Sequence, residues 1–362
     1  MFWCLLILGL FFSNVPAQAA DPQMVVDLYG TQRVTEEELV KLFSKDLGDY
    51  HAKLRARAPG SAEEAGRLKA DIESRAKAIG KFVWVGFDTL VRPPNVYVTF
   101  EFVEPEDAQT RLPFNQPPTS SISDPHGLIA EWDAYSERSQ QLARLGDIGS
   151  GANSCPSFYC SWTSTSTELK IHERSFSENV SKNRDTLAKI TRRDIRPTHR
   201  AAALYLLSYL RDGNAVVRFC QDALLDPDER IREAALRILA DIALHHPQFA
   251  IPIESVCAAL DFPRAKDRSL ALALMLALAD KEAYREALLR KAVPSALRIL
   301  RLKHPENRQM AHTFLGLLSG ENHPEADYDA WEFWAQRARA PRPAAEASKK
   351  RRFRIPFISG GR

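Results

Sequence analysis

The chain has 362 residues, of which 45% are apolar and 26% charged, and its formal net charge is +3. This composition is ordinary for a folded protein of two or three domains and argues against a disordered chain. Nine basic residues and one acid lie between Arg337 and Arg362, so the rest of the chain carries −5. The basic character is therefore concentrated in a C-terminal tail, and the body is mildly acidic.

Residues 1–20 contain no charged side chain. An apolar run from Met1 to Phe12 is followed by Ala17-Gln-Ala-Ala, and this pattern predicts a secretory signal peptide. The run is too short for a transmembrane span, and no later segment approaches the necessary length. The positively charged residues that usually precede the apolar run of a signal peptide are missing, so the alternative is an uncleaved anchor or a misassigned start codon. We expect an exported protein, periplasmic or extracellular, with association with the envelope left open.

Residues 24–107 predict a small α+β domain. A short strand at 25–29 is followed by a Thr35-x-x-Glu38 capping box, which opens a helix. A second helix follows at about 62–79, and residues 82–103 predict a hairpin whose last strand alternates apolar and polar residues, as a half-buried strand does. This β-α-α-β-β order resembles a POTRA domain, the envelope module of polypeptide-transport proteins. Some other two-layer α+β domain is the alternative.

Residues 108–127 are rich in proline and polar side chains, which is typical of a linker. Residues 128–195 predict further helices around a Gly- and Ser-rich loop that contains Cys155-Pro-Ser-Phe-Tyr-Cys160. In an oxidising compartment, the first expectation for these two cysteines is a local disulfide.

Residues 196–338 contain the strongest pattern, an Arg-x-x-Ala motif that recurs four times at the start of a leucine-rich helix. The arginines are Arg200, Arg232, Arg268 and Arg308, spaced by 32, 36 and 40 residues. A proline precedes each motif, where it ends one helix and is tolerated in the first turn of the next. One helix pair cannot bury its own apolar face, so the four units predict a stack.

The second unit, with Asp226-Pro227 before Ile231-Arg-Glu-Ala-Ala, resembles HEAT repeats of the phycobilin-lyase type. The resemblance implies a binding or scaffolding surface. It does not carry over the lyase activity, because such repeats serve many functions. The predicted fold is thus multidomain α+β: a small β-α-α-β-β domain, an all-α HEAT-like solenoid, and a basic disordered tail from residue 339 to 362.

The four arginines would stack along such a solenoid. In the structural interpretation, each pairs with an acid or a backbone carbonyl of a neighbouring unit. In the functional interpretation, they form a basic ladder for an acidic ligand. Cys220 and Cys257 occupy nearly equivalent places in successive units, which favours buried free thiols and leaves a disulfide between adjacent units as the alternative.

No residues are predicted to be catalytic, metal-binding or cofactor-binding. The leading hypothesis is a non-enzymatic interaction or scaffold protein that binds other proteins.

A first alternative is a thiol-disulfide or metal-dependent enzyme centred on Cys155 and Cys160. A zinc site would need two more ligands, and the nearest candidates, His172 and Glu173, are poorly suited. A second is binding of an anionic membrane or a cell-wall polymer through the tail. Nucleic acid is not favoured for an exported chain. The basic tail residues concerned are Lys349, Lys350, Arg351, Arg352 and Arg354.

Overall fold

A computed structural model of the chain describes residues 23–56, 58–146, 156–159 and 166–340. The predicted signal peptide, the pair Cys155 and Cys160, and the predicted tail beyond residue 340 lie outside the described residues. The predicted start of the tail is one residue early, because Arg339 is the last residue of the final described helix. The described part has an α+β layout, with a small sheet near its N-terminus followed by many helices. Within these ranges, no helix is both long enough and apolar enough to cross a membrane.

The N-terminal domain has the β-α-α-β-β order predicted from the sequence. Its elements are β1 (Gln23–Tyr29), α1 (Glu36–Arg55), α2 (Ser61–Gly80), β2 (Trp84–Arg92) and β3 (Asn95–Val103). The central strand, β3, pairs in parallel with β1 and antiparallel with β2. The predicted capping box is present, because Thr35 and Glu38 each bond the other's backbone N–H at the start of α1.

Both faces of β3 are buried, each for a different reason. Successive side chains of a strand point to opposite faces of the sheet, so Val98 and Phe100 lie on one face and Thr99 and Glu101 on the other. Val98 and Phe100 lie on the apolar face of the sheet, which packs against α1 and α2. Thr99 and Glu101 are equally buried, although they belong to the polar face. The prediction of a half-buried strand is therefore wrong, because the helical part of the chain covers the polar face.

The rest of the described chain is mainly helical. A single-turn helix, α3 (Ala108–Arg111), follows the domain. The remaining helices are α4 (Leu128–Leu145), α5 (Thr167–Asn179), α6 (Arg184–Arg193), α7 (Pro197–Leu207), α8 (Gly213–Ala223), α9 (Glu229–His245), α10 (Ile253–Ala258), α11 (Ala265–Leu276), α12 (Glu282–Ala287), α13 (Val293–Leu300), α14 (Pro305–Ser319) and α15 (Tyr328–Arg339). We call residues 128–339 the helical region.

The helices that open with an Arg-x-x-Ala motif form one layer. These helices, α7, α9, α11 and α14, pack side by side in chain order, and α4 packs against α7. The intervening helices α8 and α13 pack against α9 and α14. In the last helix, Trp331 and Trp334 are buried, as expected for a terminal helix that covers the end of the core, whereas Phe333 is exposed.

The segment predicted as a linker lies along the helical region. We call residues 112–124 the strap. Phe114 packs edge-on against Phe262, with ring centroids 5.0 Å apart, and Asn115 donates its backbone N–H to the carbonyl of Leu225. Further along, the backbone carbonyl of Ser120 accepts a hydrogen bond from the backbone N–H of Ile195. The strap thus passes the loops before α11, α9 and α7 in reverse chain order, and it leads the chain from the N-terminal domain to α4.

The far end of the strap is held by Asp194. Its carboxylate accepts hydrogen bonds from the backbone N–H of Ile122 at 2.8 Å and from the side chain and backbone of Arg196. Burial alone would raise the pKa of Asp194, but these hydrogen bonds outweigh it and lower the pKa to about 2. Because this folded-state pKa lies below the ordinary value, Asp194 stabilises the fold above about pH 4.

Replacing Asp194 with asparagine is expected to lower the free energy of unfolding at pH 7 by about 2 kcal/mol, since charge-assisted hydrogen bonds are lost. The difference from the wild type should shrink as the pH falls from 4 through 2, where the wild-type carboxylate becomes protonated. Urea unfolding at several pH values measures this. Asp222→Asn is the matched control, because Asp222 pairs with Arg192 on the exposed surface and should show a much smaller loss. An equal loss at pH 7 and pH 2 would contradict the assignment.

Candidate functional site

The motif arginines occupy equivalent places in the loops of the helical region. In Arg200, Arg232 and Arg268, Nη1 donates to the carbonyl six residues earlier, that of Asp194, Asp226 and Phe262 respectively. Each arginine therefore ties the start of its helix to the loop before it. All three side chains are almost fully buried.

The remaining donors of the first two arginines bind a carboxylate of the following unit. Arg200 makes a two-pronged contact with Asp226, with Nε–Oδ2 2.8 Å and Nη2–Oδ1 2.7 Å. Arg232 donates from Nε and Nη2 to one oxygen of Asp267, and its guanidinium also lies 4.2 Å from the ring centre of Phe114 in the strap. The structural interpretation of these arginines is confirmed for both.

Arg268 pairs with a carboxylate of the N-terminal domain instead of one from the next unit. Its Nη1 and Nη2 donate to the two carboxylate oxygens of Glu101 on β3, and both side chains are fully buried. The reason lies in the fourth unit, which has Leu302 and Asn307 at the places that correspond to Asp226 and Asp267. With no acid available there, Glu101 supplies the charge partner.

The functional interpretation of the ladder is wrong for these three residues. Arg200, Arg232 and Arg268 are at most 2% exposed and are already paired, so an acidic ligand could not reach them. Arg308 departs from the pattern, because its side chain is 36% exposed and pairs with Glu325. The arginine row is therefore a structural element that joins unit to unit and the helical region to the N-terminal domain.

The junction between domain and helical region combines buried charge with helix ends. The guanidinium groups of Arg268 and Arg111 both contact the ring of Tyr29, at 4.6 and 5.0 Å from its centre. Asp88 accepts the backbone N–H of Ala265 at the start of α11, where the helix dipole favours a negative charge. Asp27 accepts the backbone N–H of Lys303 at 2.7 Å. The acidic face of the sheet thus fits the positive loops of the third and fourth units.

Glu101 experiences two opposing influences at this junction. Burial raises its pKa to about 7, although Arg268 and Arg111 both act to lower it. The loss of water thus destabilises the carboxylate more than its two guanidinium neighbours stabilise it. Although burial disfavours its charge, Glu101 conversely raises the pKa of Arg268, so the guanidinium stays charged beside it.

The cysteines and histidines in the described part have structural surroundings. Cys220 and Cys257 are buried free thiols, and no disulfide joins them in the structure. Burial raises the pKa of both, that of Cys257 to about 12, which disfavours the reactive thiolate. His172 is hydrogen-bonded to Glu131, and Glu173 accepts from Tyr135. Across the described ranges, no group of three His, Cys, Asp or Glu side chains could hold a metal ion.

A groove of about 730 Å³ crosses α4, α7, α9 and α11. Its volume falls within the range of ligand-binding pockets. Aromatic side chains and the polar side chains of α4 line one end, and the charged side chains of α9 lie among Leu236, Leu270 and small alanines toward the other. The aromatic residues are Trp132, Tyr135, Tyr159, Tyr205 and Tyr209. The polar residues are Ser136, Ser139, Gln140, Glu233, Arg237 and Asp241.

The groove side chains are held in place by one another. The rings of Trp132 and Tyr205 are stacked, 5.1 Å apart at 16°, and Tyr159 packs on Tyr205 at 4.8 Å. Tyr135 donates to Glu173 at 3.1 Å, which fixes its hydroxyl from behind. Arg237 donates from Nε and Nη2 to one oxygen of Glu233, at 2.9 and 2.7 Å. These contacts make the groove a pre-organised surface, which lowers the entropic cost of binding.

A second cleft, of about 990 Å³, lies at the junction. Its charged side chains already bind one another: Arg33 pairs with Glu104, and Arg298 with Asp261. The groove is the better candidate site, because its aromatic side chains offer an extended contact surface.

Sequence reasoning missed the groove. None of its residues belongs to the predicted arginine or cysteine sets, and they come from distant parts of the chain. One signal was available: Tyr205 and Tyr209 are four residues apart at the end of a leucine-rich segment, where α7 passes into the turn that follows it, and Trp132 and Tyr135 are three apart in α4. Both spacings place aromatic side chains on one helix face.

Comparisons of the chain with protein-family models, with curated proteins and with solved structures found no match.

Proposed function

We propose that this chain is an exported, non-enzymatic interaction protein that binds another protein through the groove. In this proposal the helical region is a short HEAT-like solenoid, and the N-terminal domain is a POTRA-like module fixed to its side. The observation that carries the proposal is the groove itself, a pre-organised aromatic and polar surface formed by four helices.

The composition of the groove supports a protein ligand. Trp, Tyr and Arg are the residue types that dominate binding energy at protein interfaces. Tyr and Trp also provide a large, rigid, amphipathic contact surface, while small polar residues such as Ser136 supply adaptable hydrogen bonds. The groove offers this combination in Trp132, Tyr205 and Arg237.

Site-specific photo-crosslinking in living cells tests the proposal. A photoreactive amino acid at Gln140, which lines the groove and is exposed, is expected to give a discrete cross-linked product with one protein. The matched control is Lys45 on α1 of the N-terminal domain, which is also exposed and is not among the residues that line the groove; it should give none. Fractionation of the same cells tests export. Equal cross-linking from both positions, or none from Gln140, would contradict the proposal.

A further inference from the structure

We propose that residues 349–358, together with Phe333 on α15, bind the surface of an anionic membrane. None of these residues belongs to the groove, so this interaction is separate from the proposed function. Two features support it. One is a stretch of sequence that combines cations with large apolar side chains, and the other is the exposed end of the helical region that this stretch follows.

Residues 349–358 combine a dense positive charge with apolar side chains. Five of the first six residues are Lys or Arg, and no acid occurs between Ala347 and Arg362. Each Lys or Arg close to an anionic lipid surface strengthens binding about fivefold, so a cluster of five favours such a surface strongly. The large apolar residues of the same stretch are Phe353, Ile355, Phe357 and Ile358.

These apolar side chains favour a membrane over a soluble polyanion. A charged cell-wall polymer would neutralise the cations, but it offers no apolar phase for Ile355 and Ile358. At a lipid surface, apolar side chains enter the boundary between headgroups and acyl chains, and the burial of their area adds to the attraction of the cations. A target that uses both kinds of side chain is therefore a lipid surface.

The end of the helical region shows the same combination on the described surface. The buried side chains of α15, Trp331 and Trp334, cover the core, whereas Phe333 is 61% exposed. Arg337 follows one turn later, with its guanidinium 5.0 Å from the ring centre of Phe333. It remains 54% exposed, although it also pairs with Glu321. An aromatic ring beside a cation is thus available next to the basic stretch.

Both features can meet one surface. Lys349 follows Ala340, the last described residue, by nine positions. An extended chain of this length spans at most about 30 Å. Residues 349–358 can therefore reach the surface that Phe333 faces without any change in the described fold.

Co-sedimentation of the full chain with lipid vesicles tests the proposal. The probes are vesicles of phosphatidylcholine and phosphatidylglycerol at about 7:3, and vesicles of phosphatidylcholine alone. We expect the full chain to bind the mixed vesicles at least about tenfold more tightly. Glutamine at the five basic positions should weaken binding to the mixed vesicles by about a hundredfold, because the attraction of the cations is lost. These positions are Lys349, Lys350, Arg351, Arg352 and Arg354.

Five exposed basic residues of the N-terminal domain provide the matched control. Their replacement by glutamine changes the net charge by the same amount. It should leave the affinity within about threefold of the wild type, because charges beyond a Debye length from the lipid are screened. These residues are Lys41, Lys45, Arg55, Lys77 and Arg92.

The apolar contribution is tested with a serine variant. Serine at Phe353, Ile355, Phe357 and Ile358 should weaken binding to the mixed vesicles about tenfold or more, since their burial is lost. At about 0.5 M salt, where the attraction of the cations is screened, the wild type should retain part of its binding and the serine variant none.

The contribution of α15 is tested with Phe333→Ser, which should weaken binding about threefold through lost apolar burial. Ile171→Ser is the matched control, because Ile171 is 66% exposed but lies on α5. Its affinity should equal that of the wild type. Equal effects of the two variants would exclude α15 from the membrane-binding surface.

Three results would overturn the proposal: no binding of the wild type at millimolar lipid, undiminished binding of the glutamine variant, or undiminished binding of the serine variant. The last would leave a purely electrostatic contact of the kind that a cell-wall polymer makes. A lower thermal stability of the serine variant without vesicles would also overturn it, because these side chains would then pack on the protein itself. Cross-linking from Gln140 tests the groove independently.

Discussion

Glu101→Ala is expected to destabilise the folded protein by about 3–5 kcal/mol, the usual effect of removing one partner from a buried ion pair. The carboxylate binds both terminal nitrogens of Arg268, and neither side chain reaches solvent. Its removal would leave a guanidinium in the interior without its charge partner. Chemical denaturation of the full chain, followed by circular dichroism, measures the loss.

Two companion variants make this test specific. Glu106→Ala should give no measurable loss, because Glu106 pairs with Arg33 at the surface. Glu101→Leu combined with Arg268→Met should recover most of the stability, since apolar replacement of both partners removes two buried charges together. The raised pKa of Glu101 points in the same direction. If Glu101→Ala behaved like Glu106→Ala, the junction as described would be wrong.

Arg232→Ala should cost a similar amount, about 3–5 kcal/mol, because it leaves Asp267 buried without its partner. It also removes the guanidinium from the face of Phe114 and from two loop carbonyls. Burial already raises the pKa of Asp267, and loss of Arg232 would raise it further. The variant should therefore lose stability as the pH rises, and its deficit should be larger at pH 8 than at pH 5.

Arg230→Ala is the matched control for this prediction. Arg230 lies two residues away in the same helix and makes an ion pair of 2.8 Å with Asp228, but half of its side chain is exposed. Its loss should cost less than about 1 kcal/mol. Equal losses for Arg230→Ala and Arg232→Ala would show that burial of the Arg232 ion pair does not determine how much it contributes to the free energy of unfolding.

Local order was predictable because it depends on short-range chemistry. The capping box at Thr35 and the alternation along β3 both follow from residues close in the chain. The four Arg-x-x-Ala motifs predicted helices in the right places, and three of the arginines occupy equivalent buried positions. These features needed no knowledge of distant contacts.

The partner of Arg268 was not predictable in the same way. Glu101 lies 167 residues earlier in the chain. An alternating strand looks the same in sequence whether its polar face meets water or the loops of another domain. The absence of an acid at Leu302 and Asn307 was visible in the sequence, but it did not say where the missing partner would come from.

The groove escaped prediction because it depends on how helices pack. Its aromatic side chains come from α4, α7 and the segment at Tyr159. Apolar periodicity assigns these residues to a helix face, and only the packing of α4 against α7 brings Trp132 onto Tyr205. The strap was misjudged for a related reason, since proline-rich sequence indicates extended backbone without indicating what it lies against.

The structural account depends on the N-terminal domain, the strap and the helical region forming one body. Native-state hydrogen exchange tests this most directly, through four backbone amides that join the parts: Asn115, Ile122, Ala265 and Lys303. We predict that all four exchange slowly, with similar opening free energies well above those of fraying ends. Exchange of these amides at nearly unprotected rates, while the interiors of α9 and α11 stay protected, would contradict the account.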